Sequence, residues 1–142
     1  MIIQKYFIAF YLIFICSCSQ KKNNDIPATR NTVNTKPVAS YIIPMGDPKL
    51  DRKFGAEVFE TPETFKYFVV MYYDGTILND TLTLPDLGIQ PVVQIKPGTE
   101  KLSCFIGFLD DKNVFREYKM LAIKNDQLIL KTLKRYYKGS PQ

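Results

Sequence analysis

Hydrophobic positions change their spacing twice along this chain. Tyr6 to Ile15 (YFIAFYLIFI) is an unbroken apolar run, Ser19 to Ser40 (SQKKNNDIPATRNTVNTKPVAS) holds only scattered Ile26, Val33 and Val38, and from Tyr41 onward short apolar stretches alternate with turn residues. Period-2 alternation sends successive side chains to opposite faces of a strand, whereas a segment with no hydrophobic period cannot bury enough apolar surface to fold. The pattern divides the chain into an apolar leader within residues 1–17, a polar, disordered tether up to residue 40, a single β domain over 41–138 and a short tail over 139–142, and the boundary between 17 and 18 rests on the resemblance described below.

Within the β domain the clearest landmark is Asp74-Gly75, flanked by FKYFVVMYY and TILNDTLTL. Asp-Gly accepts the two positive φ angles of a type I′ turn, whose twist suits a two-residue hairpin. Such a loop sets the register: Tyr73 faces Thr76, Met71 faces Leu78, Tyr67 faces Leu82 and Phe65 faces Leu84, all on the core side. Val69 then faces Asp80, and a bulge near Asn79-Asp80 would turn that carboxylate away.

Further strands are expected near Ala56 to Glu60, over Gln90 to Lys96 before Pro97-Gly98, and over Lys101 to Leu109 before the turn Asp110 to Asn113. Val114 to Ile123 admits two readings. Phe115, Tyr118 and Ala122 satisfy a helical stripe that Asp111 could cap, while Asn125-Asp126 followed by LILKTL points to a long hairpin. With the hairpin, the domain is all-β, a small antiparallel β-sandwich or barrel of about seven strands.

The apolar leader adds location. Lys5 and the amino terminus make a positive n-region, and as a helix the run from Tyr6 to Ile15 spans only about 15 Å, too short to cross a bilayer that needs about 20 apolar residues. It ends in Ile15-Cys16-Ser17-Cys18, which resembles the lipobox of bacterial lipoproteins: Ile15 suits the third position before cleavage, and Ser17 is small at the last. Cys16 is an uncommon middle residue, and as the lipidated position it would place bulky Ile15 directly before the cut. The resemblance covers residues 1–22. It implies that Cys18 is the lipidated first residue of the mature protein and that the membrane is reached through a lipid anchor. Ser19 in place of Asp after the cysteine implies the outer membrane, and the absence of acidic residues in Gln20-Lys21-Lys22 implies its periplasmic face. A flexible tether would keep the domain within roughly 25 Å of that surface. Lys21, Lys22, Arg30 and Lys36 make it basic, either toward anionic headgroups or simply for solubility.

Composition removes most chemistry. The 142 residues contain no histidine, which excludes Ser-His and Cys-His nucleophile pairs and imidazole metal sites. Of the three cysteines, Cys16 leaves with the signal, Cys18 is acylated and Cys104 is left without a disulfide partner. Cys104 alternates with Leu102, Ile106 and Phe108 and reads as a buried structural thiol. Asp110-Asp111 with Asn113 offers oxygen ligands for Ca²⁺ but lacks the spacing of a binding loop, and reads as a turn. No catalytic residue, metal or cofactor is expected.

One stretch looks like a binding surface. In LKTLKRYYKG, Lys131, Lys134 and Arg135 interleave with Tyr136 and Tyr137, a set able to grip phosphate, an acidic glycan or an acidic protein face; the plain alternative is an edge strand protected by its lysines. The formal charge of +5 falls to 18 − 14 = +4 once Lys5 leaves with the signal, and a secreted envelope protein at that charge is not expected to meet nucleic acid. The expectation is a non-enzymatic lipoprotein with an envelope protein partner, an interaction or accessory module of an envelope or secretion assembly. An inhibitor or immunity lipoprotein, or a carrier of a small apolar ligand, are the alternatives.

Overall fold

A computed structural model of the chain describes residues 26–137. The signal, Cys18 and residues 19–25 lie outside the described residues, as do Lys138 and the tail over 139–142. The described residues hold eight strands and no helix: β1 (Ala39–Pro44), β2 (Lys53–Glu60), β3 (Lys66–Tyr73), β4 (Thr76–Thr83), β5 (Val92–Pro97), β6 (Ser103–Leu109), β7 (Phe115–Lys124) and β8 (Gln127–Thr132). They form two antiparallel four-stranded sheets in the orders β1-β2-β3-β4 and β5-β6-β7-β8, two consecutive meanders stacked as a small sandwich.

Alternation supplies the core. Phe54, Ala56 and Val58 of β2, Tyr67, Val69 and Met71 of β3, and Leu82 of β4 meet Val93 of β5, Cys104, Ile106 and Phe108 of β6, and Leu121 of β7 in one buried cluster. A fully buried large apolar side chain contributes about 1.5–3 kcal/mol, so Phe54, Leu82, Ile106 and Leu121 are major contributors.

The Asp74-Gly75 hairpin has the expected register, from Tyr73↔Thr76 through Val69↔Asp80 to Lys66↔Thr83, with φ of 48° at Asp74 and 81° at Gly75. The ladder is regular past Asp80, so the expected bulge there is absent. The first half of β4 is left uncovered: Leu78 and Asp80 are exposed, and the Asp80 carboxylate accepts the Thr81 amide at 2.7 Å. The register shift occurs instead between Ile106 and Gly107, where Ile106 pairs with Lys119 but Gly107 with Glu117. Gly107 is required there, because a Cβ would lie 2.1 Å from the Arg116 carbonyl oxygen.

The ambiguous segment is the strand β7, paired on both sides, and Asn125 and Asp126 take φ of 50° and 58° in the turn to β8. The eighth strand, β1, was hidden at the edge of the polar stretch. Its inward residues Ala39, Tyr41 and Ile43 are only half-buried, as suits an edge strand. It lies so close to β2 that a Cβ on Gly55 (φ 147°) would sit 1.9 Å from the Tyr41 carbonyl oxygen.

The described part of the expected tether is not free either. The Arg30 amide donates to the Pro62 carbonyl at 2.8 Å, Thr64 donates its amide to the Ala28 carbonyl at 2.9 Å and its hydroxyl to the Pro27 carbonyl, and Thr29 bridges Glu63. The Arg30 side chain is only 6% exposed. Its guanidinium donates to the carbonyls of Thr61 (2.7 Å), Glu63 and Thr64, lies 4.6 Å from the Tyr67 ring centroid, and faces the Glu60 carboxylate at 3.4 Å. A buried charge is tolerable when it is paired and hydrogen-bonded in this way. Residues 26–30 are therefore a strap clasped to the β2–β3 turn. Arg30→Met removes the donors and leaves turn carbonyls unpaired, at a cost of roughly 3 kcal/mol. Urea unfolding should show that loss, and hydrogen exchange should show deprotection concentrated at Arg30 and Thr64; an unchanged midpoint would contradict the clasp.

Candidate functional site

Each sheet has two edge strands, β1 and β4 in one and β5 and β8 in the other, and a cleft of about 350 Å³ is lined by residues of β4 and of β7, β8 and the segment after it. Thr81 and Thr83 line one wall. They lie there because their neighbours Leu82 and Leu84 turn into the core, and alternation sends the threonines the other way. Tyr118 and Lys119 of β7 with Thr132 of β8 line the opposite side, and Arg135, Tyr136 and Tyr137, which follow β8, complete it.

The segment after β8 is held to β7: the Leu133 amide continues the β7–β8 ladder by donating to the Tyr118 carbonyl at 2.9 Å, and the Tyr136 hydroxyl donates to the Glu117 carbonyl at 2.8 Å. The Tyr136 ring stands edge-on to Phe108, with centroids 5.2 Å apart at 80°, and Tyr118 is 6.4 Å from both rings. Edge-to-face aromatic pairs contribute about 0.5–1.5 kcal/mol each beyond their buried area. Burial, with a smaller contribution from Glu117, raises the Tyr136 phenol above its ordinary value despite the opposing charge of Arg116, so it stays a neutral donor.

The five candidate binding residues separate. β8 ends at Thr132, so Lys134 to Tyr137 do not belong to an edge strand as expected. Lys131 is on β8, paired with Met120, and exposed; Lys134 is exposed; neither lines the cleft. Arg135, Tyr136 and Tyr137 do, joined by Thr81, Thr83, Tyr118, Lys119 and Thr132, which sequence reasoning missed. The alternation of Thr81 and Thr83 with buried leucines was the one available signal.

The chemistry set aside from sequence can be placed as well. Cys104 is fully buried, and burial pushes its thiol up to about 12, so it carries no thiolate at neutral pH. Among the described residues no group of three or more Cys, Asp or Glu is disposed to hold a metal ion. Asp110 is already saturated: its carboxylate accepts the Lys112 and Val114 amides at 2.9 and 2.8 Å and pairs with Arg116 at 2.6 Å. No protein-family model, curated protein or solved structure matches the chain.

Burial alone would raise the Asp110 pKa, but the amides of Val114 and Lys112 and the Arg116 guanidinium outweigh it and hold the carboxyl below its usual range. A carboxyl lowered on folding adds stability that is complete above its unfolded value of about 3.9 and lost as the pH falls through the folded value. Asp110→Asn should therefore lower the urea midpoint at pH 7, with the gap to the parent narrowing below about pH 4. A gap of constant size between pH 7 and pH 3 would contradict this.

Proposed function

We propose that the chain is a lipid-anchored envelope lipoprotein whose β-sandwich acts by binding, as an accessory module, and not by catalysis. The lipobox-like Ile15-Cys16-Ser17-Cys18 supports the anchor, and Ser19 after it supports delivery to the outer membrane, facing the periplasm. The absence of histidine from the whole chain and the buried, protonated Cys104 favour binding over chemistry.

The clasp of residues 26–30 on the β2–β3 turn carries this reading furthest, since it changes what the anchor does. The leash begins at Cys18 and ends at Ile26. Eight residue steps of at most about 3.5 Å reach roughly 28 Å, about the length of an eight-residue strand at about 3.4 Å per residue. The end of the sandwich bearing the β2–β3 turn is then tied next to the bilayer, and the Asp74-Gly75 and Asn125-Asp126 turns point away from it. These two turns share an end because the Tyr73 hydroxyl, beside the first, donates to the Asp126 carboxylate in the second.

Cys18→Ala in the full chain should abolish fatty-acid labelling, block processing of the signal and release the protein from outer-membrane fractions. Persistent label in that variant would overturn the anchored reading.

A further inference from the structure

We propose that the cleft between β4 and the segment after β8 binds an anionic saccharide; the inference rests on reading this face as the module's binding site. The lining residues carry two cations, Lys119 of β7 and Arg135 after β8, and no carboxylate. Two other clefts, of about 310 and 240 Å³, mix both signs: Glu63 and Asp86 with Lys66 in one, Asp47 and Asp51 with Arg52 and Lys53 in the other. An anion meets uncompensated positive charge here and carboxylates there.

The rest of the lining identifies what bears the anion. Thr81, Thr83 and Thr132 each present a hydroxyl that both donates and accepts, and these three hydroxyls, the Lys119 ammonium and the Arg135 guanidinium make no side-chain hydrogen bond or ion pair among the described residues. Tyr137, 62% exposed, offers a ring at the rim. Hydroxyls that bond in both directions, flanked by aromatic rings, match the polyhydroxylated edges and C–H faces of a sugar, and the two cations match its carboxylate or phosphate. The volume, about 350 Å³, falls at the small end of ligand clefts, which run from roughly 300 to 1,000 Å³. A protein partner would instead require a broad patch with an apolar centre.

The test is calorimetric titration of the full-length chain in detergent with an oligomer of galacturonic acid, and with the methyl ester of the same oligomer, which keeps the sugar and removes the charge. Inorganic phosphate and polyglutamate supply the arms for a simple anion and for an acidic polypeptide. The acid oligomer should bind, the ester at least tenfold more weakly, and the affinity should fall as salt is added. Arg135→Gln and Lys119→Gln should each weaken binding about tenfold, whereas Lys131→Gln and Lys134→Gln, charges of the same sign outside the lining, should change it less than twofold. Urea midpoints confirm that these variants fold.

No binding of the acid oligomer would overturn the proposal, as would ester bound equally well, phosphate or polyglutamate bound as tightly, or Lys134→Gln as damaging as Arg135→Gln. Fatty-acid labelling at Cys18 reports on the anchored reading independently, so a failed titration and a failed anchor are told apart.

Discussion

Each meander of this sandwich has one apolar face and no means of covering it alone. Phe54, Tyr67 and Leu82 on one sheet are removed from water by Ile106, Phe108 and Leu121 on the other, and the stacking that achieves this decides everything at the margins. Pairing alone does not bury a side chain: Leu78 and Asp80 lie open on β4 although their ladder is regular. Where the edges of the two sheets come alongside each other, the polar residues of β4 and the C-terminal segment are brought together. The cleft is thus a product of the stacking and not of any local motif.

The hairpins were legible because their turns constrain the backbone locally. Asp74-Gly75 and Asn125-Asp126 all take positive φ, a conformation those residue types tolerate, and the neighbouring alternation then sets which side chains face inward. The strand β1 was not legible, since a short edge strand needs only a few half-buried side chains and leaves a weak hydrophobic signature. Arg30 was legible only as one more charge in a polar segment. Its burial depends on carbonyls of Thr61, Glu63 and Thr64, which present themselves only once the β2–β3 turn exists.

The cleft illustrates the same limit from another side. Arg135, Tyr136 and Tyr137 stood out by composition, yet Lys131 and Lys134 have the same local character and lie elsewhere. What sorts them is long-range contact: Glu117 and Tyr118 of β7, beside the register shift at Gly107, hold the final segment so that Tyr136 packs against Phe108. A one-residue register shift is invisible to period-2 counting, although an otherwise apolar strand interrupted by a glycine is where such a shift would be sought.

The Arg30 clasp also decides how the sandwich responds to mechanical force. Tension applied to the chain ahead of Ile26 meets the turn carbonyls at Arg30 and the backbone bonds of Arg30 and Thr64 before it reaches the β1–β2 ladder. Those bonds share the force in parallel at a single point, so the strap resists as one unit and the strands behind it are shielded. Only after that unit yields would the edge strand β1 peel from β2, lengthening the connection by the strap and leaving the other seven strands in place.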